Sequence, residues 1–330
     1  MTIDLETPWV EKYRPQSFDD IVSQNIAVDN LKDFVESGEM PHMIFTGPAG
    51  TGKTSTALIV AKRLLPDENY YRNLLELNAS DTVRMSYVRR VLKDFVNQSM
   101  FAGSKNSLKL VILDEADNIP NQVQQALRRI IEKSSSSVKF ILMCNYINRI
   151  IDPIISRCAV FRFVHLPEDK IVERLRIITE KEEIQIPPEK SEEFFNTLYF
   201  ISGGDLRKAI NTLQAAVALE LLENIKIDEL FKISGFVEKD VLNNLSEAFQ
   251  KKDFKKARNI FNSIGSFDSR NFIRQLVTLY PDLNLNKDNF TKLIAYTGEI
   301  DYKISQGGDD YIQILALIAD IIEKIENLAS

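Results

Sequence analysis

Between residues 42 and 163 short apolar runs alternate with stretches whose apolar positions recur at helical spacing. Strands are predicted at His42–Thr46, Leu74–Leu77, Leu108–Leu113, Val138–Met143 and Ala159–Phe163. The runs LKLVIL and VKFILM are apolar in both phases of the pleat, as central strands covered on two faces must be. Between them Ile119, Val123, Ala126, Leu127, Ile130 and Ile131 trace one face of a helix. Strands alternating with helices specify a mostly parallel α/β sheet. After Leu166 the strand signals stop. Helices are predicted over Ile171–Glu182, Ser191–Ser202 and Asp205–Leu222, then to the C-terminus, with turns at Pro187-Pro188, Gly203-Gly204 and Gly235. Boundaries fall near residues 166 and 231. The last segment lines up Tyr311, Ile314, Leu315, Ile318, Ile322 and Ile325 on one stripe, which suits a domain core and a subunit interface equally.

Composition narrows the class. With 44% hydrophobic and 27% charged residues in 330, the chain is an ordinary globular protein of two or three domains. It lacks an apolar run of membrane-spanning length, and its first residues, MTIDLETPWVEKYRP, do not read as a secretion signal, so an intracellular protein is expected. Two Cys (Cys144, Cys158) and two His (His42, His165) argue against a disulfide framework or a structural zinc site. A net charge of −6 argues against bulk coating of nucleic acid. Local charge is uneven: six bases (Arg84, Arg89, Arg90, Lys93, Lys105, Lys109) lie between Asp81 and Asp114 against the single acid Asp94.

The sharpest chemical signal is GPAGTGKT at 47–54, which fits G-x-x-x-x-G-K-[ST]. Gly47, Gly50 and Gly52 let the backbone N–H groups that follow Pro48, those of Ala49-Gly50-Thr51-Gly52-Lys53-Thr54-Ser55, turn inward around phosphates. Lys53 then reaches the β and γ oxygens, and the Thr54 hydroxyl ligates Mg²⁺. A strand precedes the loop and a helix follows it, so the helix N-terminus adds positive potential. LKLVILDEAD at 108–117 supplies the complement: Asp114 to hold the metal and Glu115 to deprotonate the attacking water. ATP with Mg²⁺ is therefore the expected ligand pair. FILMCN places Asn145 at another strand end, Arg157 lies just before the fifth strand, and Arg207 falls in the first turn of a helix after two glycines. Singly these three read as turn or surface residues.

Taken in order, the boxes WVEKYRP (9–15), FTGPAGTGKT (45–54), LELNASD (75–81), LDEAD (113–117), QQALRR (124–129), CNY (144–146), SRCAVFRF (156–163) and GDLRKAIN (204–211) resemble the small subunits of replication factor C. GEIDYKISQG (298–307) resembles that family's C-terminal pattern, and Ala49 departs from it where a second proline is usual. The resemblance implies a P-loop AAA+ ATPase domain (1–165), an all-α lid (166–231) and an all-α collar (232–330) joining subunits in a five-membered ring. It implies that Val10, Tyr13, Arg14 and Val22 line the adenine and ribose side. Asn145 and Arg207 become the first and second sensors, Asn78 a restraint on Glu115, and Arg157 an arginine finger acting on the neighbouring subunit's nucleotide. Arg84, Arg90 and Arg149 fall where the family grips primer–template DNA through its backbone, and the helix beginning near Asn118 resembles the segment that touches the sliding clamp. Such a protein is cytoplasmic in an archaeon and nuclear in a eukaryote. A branch-migration motor would end in a basic winged-helix domain, against which stands the near-neutral helical tail with its 13 bases and 14 acids. A purely structural nucleotide-binding subunit would have lost Lys53, Glu115 or Arg157.

Overall fold

The computed structural model describes residues 7–65, 68, 70–79, 90–96, 108–134, 137–221 and 227–325. Chain contacts divide it into two compact units: residues 1–187 with 191–214, and residues 188–190 with 215–330.

The first unit is built on five parallel strands: β1 (His42–Thr46), β2 (Leu74–Asn78), β3 (Lys109–Asp114), β4 (Val138–Cys144) and β5 (Cys158–Arg162), in the order β2-β3-β4-β1-β5. All five predicted strands form, β1 with the predicted ends and the others with ends displaced by one residue at most. Every residue of β1 is buried and so is nearly all of β3 and β4, as their two-faced apolar runs require. Edge strand β2 alternates partly buried Leu with exposed Glu76 instead. Register pairs Thr46 with Cys144 and Asn78 with Asp114, so the chemistry-bearing strand ends all open at the carboxyl edge. Ligands of open α/β sheets bind at that edge.

Helix ends follow local chemistry. The helix Lys53–Leu64 starts directly after Gly52, whose φ of 95° is left-handed. The helix Pro188–Ser202 begins three residues before the predicted start, because proline is accommodated in a first turn. It stops at Gly203, in the left-handed region. The helix Glu168–Lys181 likewise begins earlier than its apolar pattern, in a polar turn carrying Glu168 and Asp169. Leu206–Ala218 is shorter than predicted, since the chain turns at Glu220, where φ is 55°.

The second unit is helical: Ile227–Ile233, Lys239–Gln250, Phe254–Ser263, Ser269–Leu279, Lys287–Ser305 and Asp310–Lys324. Four of these begin at an Asp or Asn (Asp253, Asp268, Asn286, Asp309) whose side chain accepts the N–H three residues on. The terminal stripe resolves as core: Ile314, Ile318, Ile322 and Ile325 are buried with Phe249, Phe272 and Leu293, while Tyr311 remains half exposed. Among the described residues, no helix is long and apolar enough to cross a membrane.

Candidate nucleotide site

A pocket in the first unit collects nearly every residue singled out for nucleotide binding. Val10, Tyr13, Arg14 and Val22 line it with Ala49–Ser55, Asp114, Glu115, Asn145 and Arg207. Gly47 and Pro48 lie just behind the lining, as carbonyl partners of Lys53.

The loop geometry explains its glycines. A Cβ on Gly47 would stand 2.1 Å from the Phe163 carbonyl oxygen, and one on Gly50 would stand 1.7 Å from Asp205 Oδ1. Lys53 is buried, and its Nζ donates to Gly47 O and Pro48 O, both at 2.7 Å, and to Asn145 Oδ1 at 3.1 Å. Burial pulls its pKa below the ordinary lysine value, opposed by the Asp114 charge. Asn145 is thus tied to the phosphate-loop lysine from a strand end 92 residues away.

Thr54 Oγ1 donates to Asp114 Oδ2 at 3.1 Å, while the Glu115 N–H donates to Asp114 Oδ1 at 2.8 Å. A hydroxyl and a carboxylate oxygen in contact, at the mouth of a phosphate loop, fit a hard divalent cation that keeps most of its ligands as water and phosphate. Glu115 adopts φ 52°, unusual for a residue with a side chain. Strain of this kind persists where surroundings enforce it, which is typical of functional sites. Asn118 Nδ2 donates to Glu115 Oε2 at 3.0 Å and orients that carboxylate.

Several contacts were not assigned from the sequence, although Asp117 and Gln124 fall in the LDEAD and QQALRR boxes. Asp117 Oδ2 accepts from the N–H groups of Asn145 and Tyr146, fixing the Asn145 strand end, while its buried Oδ1 has no partner. The buried Gln124 side chain donates to Ile119 O and Arg149 O and accepts from Ile151 N–H. On the other wall Arg174 Nη2 donates to Tyr13 O at 3.0 Å. The Tyr13 hydroxyl donates to Glu182, which also pairs with Lys12, so two residues of the helical stretch clasp the WVEKYRP segment. Burial, then the Glu182 hydrogen bond, push the Tyr13 pKa well above the usual phenol value. Only residues already brought together by the fold could reveal these pairs, although Asn118 stands at the i+3 spacing that lets one side chain reach another.

Other singled-out residues lie elsewhere. Arg157 does not line this chain's pocket. Its Nη1 donates to Pro153 O at 2.6 Å and its Nη2 pairs with Glu132 at 2.8 Å. Arg149 is exposed and stacks over the Tyr146 ring at 5.1 Å. Arg90 is exposed, and Arg84 lies outside the described residues. Asn78 ends β2 in register with Asp114, one residue short of Glu115.

Residues 43–166 match the family model described as "ATPase family associated with various cellular activities (AAA)", and residues 237–320 match "Replication factor C C-terminal domain". The replication factor C small subunit of Aeropyrum pernix is 40% identical, covering 97% of both chains. That of Archaeoglobus fulgidus is 38% identical, covering 94% of this chain and 96% of the relative. Among solved structures, the Thermotoga maritima RuvB Holliday junction branch migration motor is similar with a TM-score of 0.55 at 14% identity, covering 83% of this chain and 93% of that one. At that identity the likeness is one of fold alone. The sequence matches, running through both units and both family models, show that this chain belongs to the replication factor C small-subunit family.

Proposed function

We propose that this protein is an ATP-hydrolysing subunit of a clamp loader, working in a five-subunit ring that opens a sliding clamp and closes it around primer–template DNA. The convergence of Lys53, Thr54, Asp114, Glu115, Asn145 and Arg207 on one pocket is the observation that carries it. The three-part division into ATPase domain (1–165), lid (166–231) and collar (232–330) belongs to the same reading, as does an intracellular location.

The ATP phosphates accept from the loop N–H groups, and Lys53 exchanges its Gly47 and Pro48 carbonyl partners for β and γ oxygens. Thr54 and Asp114 hold Mg²⁺, which when bound offsets phosphate charge. Glu115 takes a proton from the attacking water, and Asn145, fixed by Asp117, holds the γ-phosphate end. Val10, Tyr13, Arg14 and Val22 enclose the base and ribose. Arg207 approaches from the lid, and Arg157 serves the neighbouring subunit, so hydrolysis depends on assembly. Arg84, Arg90 and Arg149 contact DNA phosphates without reading sequence. Asn78, beside Asp114, restrains Glu115 until DNA is engaged.

Assembled with its partner subunits, the protein should hydrolyse ATP severalfold faster when clamp and primed DNA are both added, while the isolated chain hydrolyses it weakly. A flat response would refute clamp loading. In the same assembly Arg157→Ala should lower hydrolysis while this chain still binds nucleotide.

A further inference from the structure

Arg157 is engaged within its own chain. Its side chain leaves the short turn between the helix Asp152–Ile155 and β5. Both terminal nitrogens are used: Nη1 on Pro153 O at 2.6 Å and Ser156 Oγ at 3.2 Å, and Nη2 on Glu132 Oε1 at 2.8 Å. These terminal nitrogens are the ones that form a forked contact with a phosphate.

Glu132 is placed to receive them. The helix Asn121–Ser134 buries Leu127, Ile130, Ile131 and Ser134, which turns Glu132 toward the surface beside Arg157. It is the one acid in a helix that also carries Arg128, Arg129 and Lys133. Arg128 Nε donates to the same Oε1 at 2.9 Å, one helical turn back. The Arg128 hydrogen bond and the surrounding arginine charges hold the Glu132 carboxyl below its ordinary range, so it stays ionised.

We propose that Glu132 is a parking residue for Arg157, holding the guanidinium on its own subunit until the γ-phosphate of the neighbouring subunit displaces the carboxylate. This rests on the reading that Arg157 acts in trans. Phosphate and carboxylate compete for Nη2, while Nη1 is held by Pro153 O and Ser156 Oγ, and the ion pair is exposed enough to exchange. Its strength is that of a surface ion pair, which sets a modest threshold rather than a block. Glu132 touches no reacting atom, so it acts only through Arg157.

The test is epistasis in the assembled complex without clamp or DNA. Glu132→Gln keeps shape and removes charge, and should raise basal ATP hydrolysis by about two- to fivefold. The same change in an Arg157→Ala background should do nothing further, a signature that a merely structural role for Glu132 would not give. Nucleotide affinity of the mutated chain itself should not change. An E132Q rate equal to or below wild type, or a rise that persists beside R157A, would overturn the proposal. If R157A lowers hydrolysis while E132Q behaves as wild type, parking alone fails. If R157A leaves hydrolysis at the wild-type rate, the trans reading fails and parking with it.

Discussion

In the first unit Lys53, Lys109 and Asp117 lose nearly all contact with water, whereas the described residues of the second unit bury only the neutral polar side chains Gln275 and Thr297. These two are satisfied within it, although the buried Asp320 Oδ2 has no hydrogen-bond partner. Gln275 exchanges both its amide bonds with Val237, and Thr297 meets the Tyr280 hydroxyl and Leu293 O. The most enclosed ion pair among its described residues, Lys324 with Asp320, keeps 18% of each side chain exposed. Burying an ion costs several kcal/mol even after relaxation, and apolar residues of similar volume are often as stable or more so. The first unit therefore carries a burden that packing does not explain, and at Lys53 and Asp117 it lies where phosphate chemistry requires it. The second unit is arranged for packing and helix capping.

That contrast can be broken at three points. The largest effect is expected at Glu115→Gln, which should slow ATP hydrolysis by about 10²–10⁴-fold. Thermal stability and nucleotide affinity should stay close to wild type, read by steady-state hydrolysis and fluorescent-nucleotide titration. In the second unit Phe272→Ala should do the reverse. It truncates a fully buried ring stacked on Phe261 and should cost about 3–5 kcal/mol in denaturant unfolding. Nucleotide binding under native conditions should persist.

The smallest effect concerns His42, buried at the start of β1, whose Nδ1 accepts the Phe140 N–H. Burial, with Lys139 adding to it, lowers its pKa to about 4. The unfolded chain, titrating near 6.5, therefore takes up the proton first. His42's share of stability is complete above about pH 6.5 and is lost as pH falls toward 4, to a limit of about 3 kcal/mol. Unfolding followed across that window should show the loss, and His42→Leu should flatten it.

What reading the chain alone could reach was whatever depends on near neighbours. The runs around β1, β3 and β4 announced a covered parallel sheet, and GPAGTGKT with LDEAD announced the phosphate chemistry. Strand ends were less legible, because an end depends on when a partner strand stops pairing. Thus β3 extends through Asp114 because Asn78 of β2 is still beside it. The caps at Asp253, Asp268, Asn286 and Asp309 were within reach of sequence, since each is a local Asx pattern.

The phosphate loop, with its strand before and helix after, was determined by the sequence itself. Its conformation is dictated over eight consecutive residues by glycine and by the helix it opens. The tertiary structure alone decided what surrounds it. Asn145 reaches Lys53 across 92 residues, Arg174 reaches Tyr13 across 161, and Arg157 pairs with Glu132 from beyond β4. No periodicity encodes such pairs, because each depends on which elements the fold places side by side. The order β2-β3-β4-β1-β5 puts β4 directly beside β1, and so brings Asn145 to the lysine.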